Sequence, residues 1–431
     1  MIEIAGYYAG LVAGLRALGI ATTHVALPQW PGFYKCPSAN GSWFMALFSC
    51  GEQLCYRAQG RTWSRCLTAP FRWLLRLSLF VWAVARHDVF VFGFGTSFYD
   101  LRELWILRAL GKKLIFVFNG SDTRPAYLSG LFISDPVVPL ADLATATTES
   151  KRRVMCIERY ADFCIAHPLS GHFHEKPFVN YLKLGSPSFT GAPTRVRNQD
   201  AIGPVRILHA PSRPELKGSV LFSQMIERLR ARGLAIDYNE LRGVPHEEVL
   251  AALADCDFVL DELYSDVSLA GLGTEAASFR KPALVGGYGQ SALRQACHGV
   301  PLPMDTYCRP DEVEAMLERL VSDAGWRRAC GEKVGEFVAK HWEARRLAER
   351  FLVLISGSVP ADWFFDPQDI TYFHGWGVSE ERLRHALAEF IGHFGVAALQ
   401  LTDKPALETS LVRFASASSP PMTSHVTDHH P

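Results

Sequence analysis

The chain has 431 residues, of which 48% are apolar and 12% aromatic. A chain of this length and composition can build two packed hydrophobic cores, which predicts a globular protein with two domains. It carries 44 basic and 44 acidic residues. A formal net charge of zero gives no electrostatic reason to expect a nucleic-acid partner.

The ten cysteines are scattered along the chain, and no two of them form a C-x-x-C pair. This usage favours free thiols in a reducing, cytoplasmic setting. The four cysteines within residues 36–66 match no common zinc-site spacing, so no metal and no cofactor are expected. No cationic region precedes an apolar core near Met1, and charges interrupt the most apolar stretch, residues 71–95. Neither a signal peptide nor a membrane-spanning helix is expected.

The first residues predict a short strand, at 1–4, followed by a glycine turn. Gly6 and Gly10 are expected in this turn, ahead of a helix on which Leu11, Leu15 and Leu18 share one face. Two interpretations of the glycines stay open. They serve the turn and close helix packing, or, because they lack Cβ, they let the backbone approach a bound diphosphate.

Residues 61–87 interleave arginines with tryptophan and phenylalanine. The favoured interpretation is a core helix of the first domain that leads into a strand. The alternative is an amphipathic helix on an anionic membrane surface, where a lipid-linked substrate would lie. This alternative predicts a peripheral membrane contact.

Short runs of β-forming residues continue the first domain at 88–92, 113–118, 163–168 and 178–185. Between the first two runs, residues 101–110 predict a crossover helix that ends at Gly111. Such alternation is typical of a doubly wound α/β domain built on a parallel sheet. Residues 93–97, GFGTS, lack the third glycine of a dinucleotide fingerprint, so a nicotinamide site is disfavoured.

Polar side chains follow two of these strands. Residues 116–125 read FVFNGSDTRP and place Asn119 and Asp122 just past a strand end, where ligands of open α/β sheets collect. Asp122 is predicted to act on the acceptor side of a site, or to form a structural ion pair with Arg124. His167 lies in the loop HPLSGHFH, which is expected to line the cleft or the surface and to bind no metal.

The second domain opens with VRILHAPSRPELKGS, residues 205–219. A strand is followed by a loop with His209, Arg213 and Lys217, after which Gly218 and Ser219 open a helix. A helix N-terminus favours an anion through its orphan N–H groups and its dipole, and Arg and Lys add charge. The sequence therefore predicts a diphosphate site.

Further on, Thr274 is expected to cap a helix that begins at Glu275, ahead of a strand at 282–285. The Glu275 carboxylate can accept two hydrogen bonds from a diol such as that of a ribose, or it serves only as a favourable first-turn acid. Asp255 and Asp257 form a D-x-D string at a helix-to-strand junction, where a structural role is favoured over a metal site.

These residues together resemble the C-terminal half of a GT-B glycosyltransferase, and the segment is most similar to the family 4 enzymes. The resemblance implies two Rossmann-like domains that face each other across a cleft. It implies that Arg213 and Lys217, followed by Gly218, hold the diphosphate of a nucleoside diphosphate sugar. It also implies that Glu275, in EAASFRKP, holds the ribose.

The chain departs from the family pattern at two positions. The family's first motif Glu falls on Val267, so Glu262, Asp266 or the backbone of residues 271–273 would have to contact the sugar. In similar enzymes a His often stands where this chain has Asn119, and an amide cannot act as a base at neutral pH. Asn119 is thus left with a hydrogen-bonding role at the reaction centre.

The C-terminal region predicts helices at 311–320, at 326–355 and at 380–392, and a packing segment at 360–367. By resemblance, residues 342–354 cross back onto the first domain. The expected organisation is an acceptor domain at 1–190, a linker at 191–203, a donor domain at 204–345, a crossover helix with a helical extension at 346–414, and a disordered tail at 415–431.

The sequence therefore predicts a cytoplasmic glycosyltransferase that moves a sugar from a nucleoside diphosphate sugar to a hydroxyl acceptor. Assembly of a cell-surface polysaccharide or glycolipid is the use that the resemblance implies, with an acceptor that can be lipid-linked. Two alternatives stay open. One is a non-catalytic relative that binds a nucleotide sugar or a partner protein, and the other is a nucleotide-sugar epimerase of the same fold.

Overall fold

The structure is a computed structural model that describes residues 6–25, 43–57, 62–134, 138–187 and 203–417. The predicted strand at 1–4, the predicted linker up to residue 202 and the tail beyond residue 417 lie outside these ranges. The last described helix ends at Ser416, which is two residues into the predicted tail.

The first half of the described chain alternates helices with short buried strands. The helices are α1 (Tyr7–Ala17), α2 (Trp43–Arg57), α3 (Thr62–Arg86), α4 (Leu104–Ala109), α5 (Gly130–Ile133), α6 (Leu140–Tyr160) and α7 (Tyr181–Leu184). The strands are β1 (Val89–Gly93), β2 (Lys113–Val117), β3 (Phe163–Ala166) and β4 (Phe178–Asn180).

The second half repeats this alternation and ends in helices. The strands are β5 (Val205–His209), β6 (Ile236–Glu240), β7 (Phe258–Leu260), β8 (Ala283–Gly286), β9 (Tyr307–Cys308) and β10 (Phe364–Phe365). The helices are α8 (Pro214–Lys217), α9 (Ser219–Ala231), α10 (His246–Asp255), α11 (Gly271–Ser278), α12 (Gln290–Ala296), α13 (Val313–Ser322), α14 (Ala324–His341), α15 (Ala344–Ser356), α16 (Glu380–Phe394) and α17 (Pro405–Ser416).

These strands form two five-stranded sheets, one in each domain. The first has the order β1-β2-β3-β4-β10, in which only β10 is antiparallel to its neighbour. The second has the order β6-β5-β7-β8-β9 and is parallel throughout. Strands such as β2 are buried on both faces because helices cover both sides of a parallel sheet. The predicted fold class, two doubly wound α/β domains with a helical C-terminal extension, is confirmed.

The glycine turn at the start of the chain is shorter than predicted. Only Gly6, at φ 73°, precedes the helix, while Gly10 lies inside α1. A Cβ on Gly10 would lie 2.6 Å from Cβ of Pro187. The placement of Gly10 in the turn was therefore wrong, and its missing side chain admits Pro187 instead.

The predicted helix at 326–355 is two helices, because the chain changes direction at Trp342. The Trp342 side chain is buried against Gly185, where a Cβ would lie 2.2 Å from its indole. Beyond the break, α15 packs on α1 so closely that a Cβ on Gly14 would lie 2.0 Å from the carbonyl oxygen of Ala344. The α15 helix thus lies against the first domain.

The C-terminal extension belongs to the core of the first domain. Leu383, Leu387 and Phe390 of α16 share a buried cluster with the strands of the first sheet. The predicted packing segment contributes β10, which pairs with β4. Residues 178–185 do not form one long strand, because the side chain of Asn180 caps α7 by accepting from the Leu182 N–H at 2.9 Å.

Candidate functional site

The loop after β5 is fixed by a buried histidine. The ring of His209 lies 2.8 Å from the carbonyl oxygen of Leu260 through Nδ1 and 2.7 Å from Ser219 Oγ through Nε2. Burial lowers the pKa of His209 to about 4. His209 is therefore neutral at pH 7 and ties the start of α9 to β7. It is the last residue of β5, so its predicted place in the loop was wrong.

Gly218 joins the short helix α8 to α9 in the left-handed region, at φ 79°. A Cβ at this position would lie 2.5 Å from Cβ of Leu263. Both the backbone conformation and the space require glycine. As predicted, α9 begins at Ser219, so its first N–H groups lie directly beside Lys217.

Lys217 lies between two buried carboxylates that the sequence did not connect with it. Its Nζ lies 3.2 Å from Asp261 Oδ1 and also bonds to Glu262 Oε1. Burial opposes the ammonium charge, but Asp261 and Glu262 outweigh it and raise the pKa of Lys217. The ammonium is therefore permanently charged, and in this structure it is neutralised by the protein itself.

Both carboxylates are held by further groups of the site. Asp261 Oδ2 accepts from the backbone N–H of Gly273 in α11 at 3.1 Å. Glu262 Oε2 accepts from the indole N–H of Trp376 at 2.6 Å. The Lys217 loop, the start of α11 and a segment of the C-terminal region thus meet at one point.

Arg213, by contrast, is exposed, and it forms no ion pair with any residue that the structure describes. It is the residue that precedes α8. The structure therefore places Arg213 and Lys217 at opposite ends of one short helix, with one cation open to solvent and the other enclosed.

Glu275 is buried in α11, where its carboxylate lies 2.8 Å from Nε2 of His246. This hydrogen bond raises the pKa of His246. The helix begins at Gly271 rather than at Glu275, and Thr274 Oγ1 donates back to the carbonyl oxygen of Ala270 at 2.9 Å. The predicted cap at Thr274 was wrong, because the glycine-rich segment before it is already helical.

The carboxyl edge of the first sheet carries Asn119 and Asp122. The Asn119 Oδ1 accepts from the hydroxyl of Tyr8 at 2.9 Å, and Asp122 Oδ1 accepts from the backbone N–H groups of Asn119 and Gly120. Asp122 Oδ2 is shielded from solvent and has no partner among the described residues. Burial raises the pKa of Asp122 to about 7, which is suited to a general base at neutral pH.

Arg124 does not pair with Asp122. It forms an ion pair with Asp266 of the second domain, and both side chains are only 5% exposed. Its guanidinium also lies over the ring of Trp376, 5.9 Å from the ring centre. The predicted Asp122–Arg124 pair was wrong because the partner of Arg124 comes from the facing domain, which sequence proximity does not indicate.

Gly6 and Gly93 leave room near this edge. A Cβ on Gly6 would meet no described atom within 4 Å, whereas one on Gly93 would lie 1.9 Å from the hydroxyl oxygen of Tyr8. Gly93 thus admits the tyrosine that holds Asn119. Gly6 stays open on one side of α1, and the proposal that it faces a ligand remains a prediction.

The loop after β3 contains three buried histidines. His172 Nε2 lies 2.7 Å from the carbonyl oxygen of Tyr372, and His174 Nδ1 lies 2.7 Å from Glu158 Oε1. His167 is also buried. Each of the three rings has one shielded nitrogen without a partner among the described residues, namely Nε2 of His167, Nδ1 of His172 and Nε2 of His174. In the part of the chain that the structure describes, no group of three or more His, Cys, Asp or Glu side chains is arranged to hold a metal ion.

The D-x-D string is engaged by Arg206. An exposed ion pair joins Asp255 to the guanidinium, and Asp257 accepts from the Arg206 N–H at 2.8 Å. Both carboxylates therefore fasten the junction between α10 and β7. This agrees with the structural interpretation of the string.

Trp376 is the site residue that sequence reasoning missed. It lies in a loop between β10 and α16 whose backbone bonds to both domains. Gly130 N–H donates to the carbonyl oxygen of Trp376 at 2.8 Å, and Gly377 N–H donates to that of Tyr264 at 2.8 Å. The glycines on either side, in HGWGV, are the signal that could have indicated a tightly held loop.

Taken together, the site lies where the two doubly wound domains meet. The structure brings together Lys217, Gly218 and the start of α11 on the second domain. It brings together Asn119 and Asp122 on the first, and Arg124 and Asp266 connect the two sides. Glu275 lies two residues beyond Gly273 in α11, and the N–H of Gly273 donates to Asp261 of the Lys217 cluster.

No protein-family model and no curated protein sequence matches this chain. Among solved structures, it is similar to a glycotransferase of kitacinnamycin, with 14% identity and a TM-score of 0.42 over 83% of this chain and 97% of that one. It is also similar to a UDP-forming α,α-trehalose-phosphate synthase from Burkholderia xenovorans, with 12% identity and a TM-score of 0.40 over 69% and 80% of the two chains.

A third similar structure is a putative UDP-N-acetylglucosamine 2-epimerase from Listeria monocytogenes. It is 12% identical, with a TM-score of 0.36 over 82% of this chain and 93% of that one. Within the described ranges, no helix is both long and apolar enough to span a bilayer.

Proposed function

We propose that this protein is a glycosyltransferase that moves a sugar from a nucleoside diphosphate sugar to a hydroxyl acceptor. One observation carries the proposal. The Arg124–Asp266 ion pair joins the edge that holds Asp122 to the domain that holds Lys217. The residues that we propose as base and as diphosphate site thus belong to two domains that are in contact.

On the donor side, Lys217, Arg213 and the N-terminus of α9 would receive the diphosphate. In this structure, Lys217 is balanced by Asp261 and Glu262. A bound diphosphate would replace Glu262 as the partner of Lys217, because a third anion beside the same ammonium would add repulsion between like charges. The same cations would then stabilise the negative charge that the leaving nucleoside diphosphate develops.

The nucleoside would be held by Glu275, which already accepts one hydrogen bond from His246. The same carboxylate would bind the ribose hydroxyls. Val267 has no polar side-chain atom to offer a sugar. Its neighbour Asp266 and the nearby Glu262 are the acidic residues that the cleft offers in its place.

On the acceptor side, Asp122 would take the proton of the attacking hydroxyl. The oxygen would form a bond to the anomeric carbon of the donor sugar while the bond from that carbon to the diphosphate oxygen breaks. The proton would end on Asp122 Oδ2 and the electron pair on the nucleoside diphosphate. Asn119, which Tyr8 orients, would hydrogen-bond one of the sugars.

A hexosyl donor and an acceptor in cell-surface polysaccharide or glycolipid assembly complete the proposal. Helix α3 is relevant to a lipid-linked acceptor. Leu79, Phe80 and Ala83 are buried in the first domain, as the core-helix interpretation requires, whereas Phe71 and Val81 are 49% and 59% exposed. An apolar face is therefore available for peripheral contact with a membrane.

A non-catalytic nucleotide-sugar-binding protein is the second candidate. It is favoured by one observation, the neutralisation of Lys217 by two carboxylates of the protein itself. Binding without turnover would support this candidate over the transferase.

The test is thermal stabilisation of the purified protein by UDP, GDP, ADP and their sugars, with Arg213→Ala and Glu275→Ala alongside. Ligands that bind the native state raise its stability by mass action. A shift with one nucleotide class that both variants abolish would support the donor site. No shift with any nucleotide would contradict the proposal, and a shift without sugar transfer to any hydroxyl acceptor would favour the second candidate.

A further inference from the structure

His167 follows β3 at the edge where Asn119 follows β2. Val117 of β2 pairs with Ile165 of β3, and the N–H of Phe118 donates to the carbonyl oxygen of Ile165 at 2.8 Å. Asn119 and His167 each lie two residues past this pair. They are therefore neighbours at the carboxyl edge of the sheet, beside the turn that holds Asp122.

One hydrogen bond defines which nitrogen of His167 carries the proton. The backbone N–H of Leu169 donates to Nδ1 at 3.2 Å. A nitrogen that accepts a hydrogen bond carries no proton, so the neutral ring is protonated on Nε2. Burial lowers the pKa of His167 to about 4, and the ring stays neutral at pH 7. His167 is thus an N–H donor and cannot serve as a base through Nε2.

The Nε2 donor has no acceptor among the described residues, although the side chain is only 7% exposed. Buried donors in folded proteins almost always have partners. On the neighbouring turn, Asp122 Oδ2 and Arg124 Nε are also shielded and without a partner among the described residues. A donor and an acceptor that are both unsatisfied at one sheet edge indicate a ligand that offers both oxygens and hydroxyl protons.

The charges at this edge restrict the ligand. Arg124 is the cation that acts on both His167 and Asp122, and Asp266 already matches it. The remaining group, Asp122, is acidic, and His167 is neutral. Among the described groups that face His167, none carries an unbalanced positive charge that could bind a carboxylate or a phosphate. This favours a neutral polyol as the ligand.

We propose that His167 recognises the acceptor. Its Nε2–H donates to an oxygen of a neutral sugar, beside the hydroxyl that faces Asp122. This inference rests on the proposed function and adds to it the acceptor's chemical class and one residue that selects it. His167 is an acceptor-binding residue and transfers no proton.

The test begins with the ¹⁵N signals of the histidine rings in the full chain, with His167→Gln identifying those of His167. We expect protonation on Nε2 between pH 6 and 8, and a shift of that N–H signal when methyl glycosides are added. Inorganic phosphate and acetate should leave it unchanged. A ring protonated on Nδ1, a shift with phosphate or acetate, or no shift with any methyl glycoside would overturn the proposal.

Kinetics separates recognition from a structural role. His167→Phe keeps a ring but loses the donor, and should raise KM for the methyl glycoside about tenfold, as for one lost buried hydrogen bond. His167→Gln, which keeps an N–H donor, should restore most of the loss. Neither variant should change the Kd of the nucleoside diphosphate, and equal losses in both variants would overturn the assignment.

Failure of the proposed function would look different. In that case no nucleotide would bind the unaltered protein, whereas the His167 ring signal would still respond to methyl glycosides. The two measurements therefore answer separate questions.

Discussion

Arg124 of the first domain and Asp266 of the second form a buried ion pair between the two domains, with both side chains 5% exposed. Each residue lies in a loop that follows a parallel strand, so the pair joins the carboxyl edges of the two sheets. Its position decides which groups can face one another. Asp122 and His167 lie on one side, and Lys217 and Glu275 lie on the other.

Breaking this pair should destabilise the protein strongly. Arg124→Ala leaves a buried carboxylate without its partner, which costs about 3–5 kcal/mol. Urea unfolding would measure the loss. The double variant with Asp266→Ala should recover part of it, and Arg206→Ala, which breaks a pair with the exposed Asp255, should cost at most about 1 kcal/mol. Equal costs for the two arginine variants would contradict the burial argument.

Lys217→Ala should weaken nucleoside diphosphate binding by about 1.5–3 kcal/mol, the contribution of a hydrogen bond to a charged group. Titration calorimetry would measure it, with Lys333→Ala, a surface change, as the control. Glu262→Gln should act in the opposite direction, because it removes the carboxylate that competes for Lys217. An unchanged affinity in Lys217→Ala would remove this residue from the site.

The pH dependence of activity should follow Asp122. Its pKa is raised to about 7 by burial, so the basic form appears as pH rises through 7 and kcat/KM should rise with it. Asp122→Asn should remove this limb together with most of the activity. A profile that is flat between pH 6 and 8 would exclude Asp122 as the base.

The same carboxyl should affect stability with a defined sign. Because the folded state binds this proton more tightly than the unfolded state, the stabilisation is complete below pH 4 and is lost as pH rises through 7. Asp122→Asn should therefore gain stability relative to the unaltered protein between pH 5 and 8. Thermal midpoints at pH 5 and 8 would measure this, and a constant difference would contradict it.

Gly218→Ala should destabilise the second domain by about 1–3 kcal/mol through overpacking against Leu263. Gly243→Ala is the matched control. It also has a positive φ, 63°, but a Cβ there meets nothing within 4 Å, so it should cost only about 1 kcal/mol of backbone strain. If the two variants lose equal stability by urea unfolding, the contact with Leu263 is unimportant.

The sequence by itself determined the two-domain α/β fold and the start of α9 at Ser219, whereas the predicted loop before it contains the short helix α8. Both features can be read from consecutive residues. A buried strand appears as a continuous apolar run, and a glycine just before a helical pattern indicates a turn. The ends of helices and strands were predicted less well. Asn180 caps α7 and the buried Trp342 ends α14 through tertiary or local contacts, which hydrophobic periodicity does not reveal.

Only the tertiary structure decided which charges meet. Sequence proximity suggested Asp122 for Arg124, whereas the partner is Asp266, 142 residues away. It gave no indication that Glu262 would hold Lys217 or that Trp376 would reach Glu262. The sequence also could not indicate that Nε2 of His167 has no partner among the described residues, because this requires the positions of all the surrounding atoms. Ion pairs and burial depend on the distances between residues of the two domains. Those distances exist only in the folded chain.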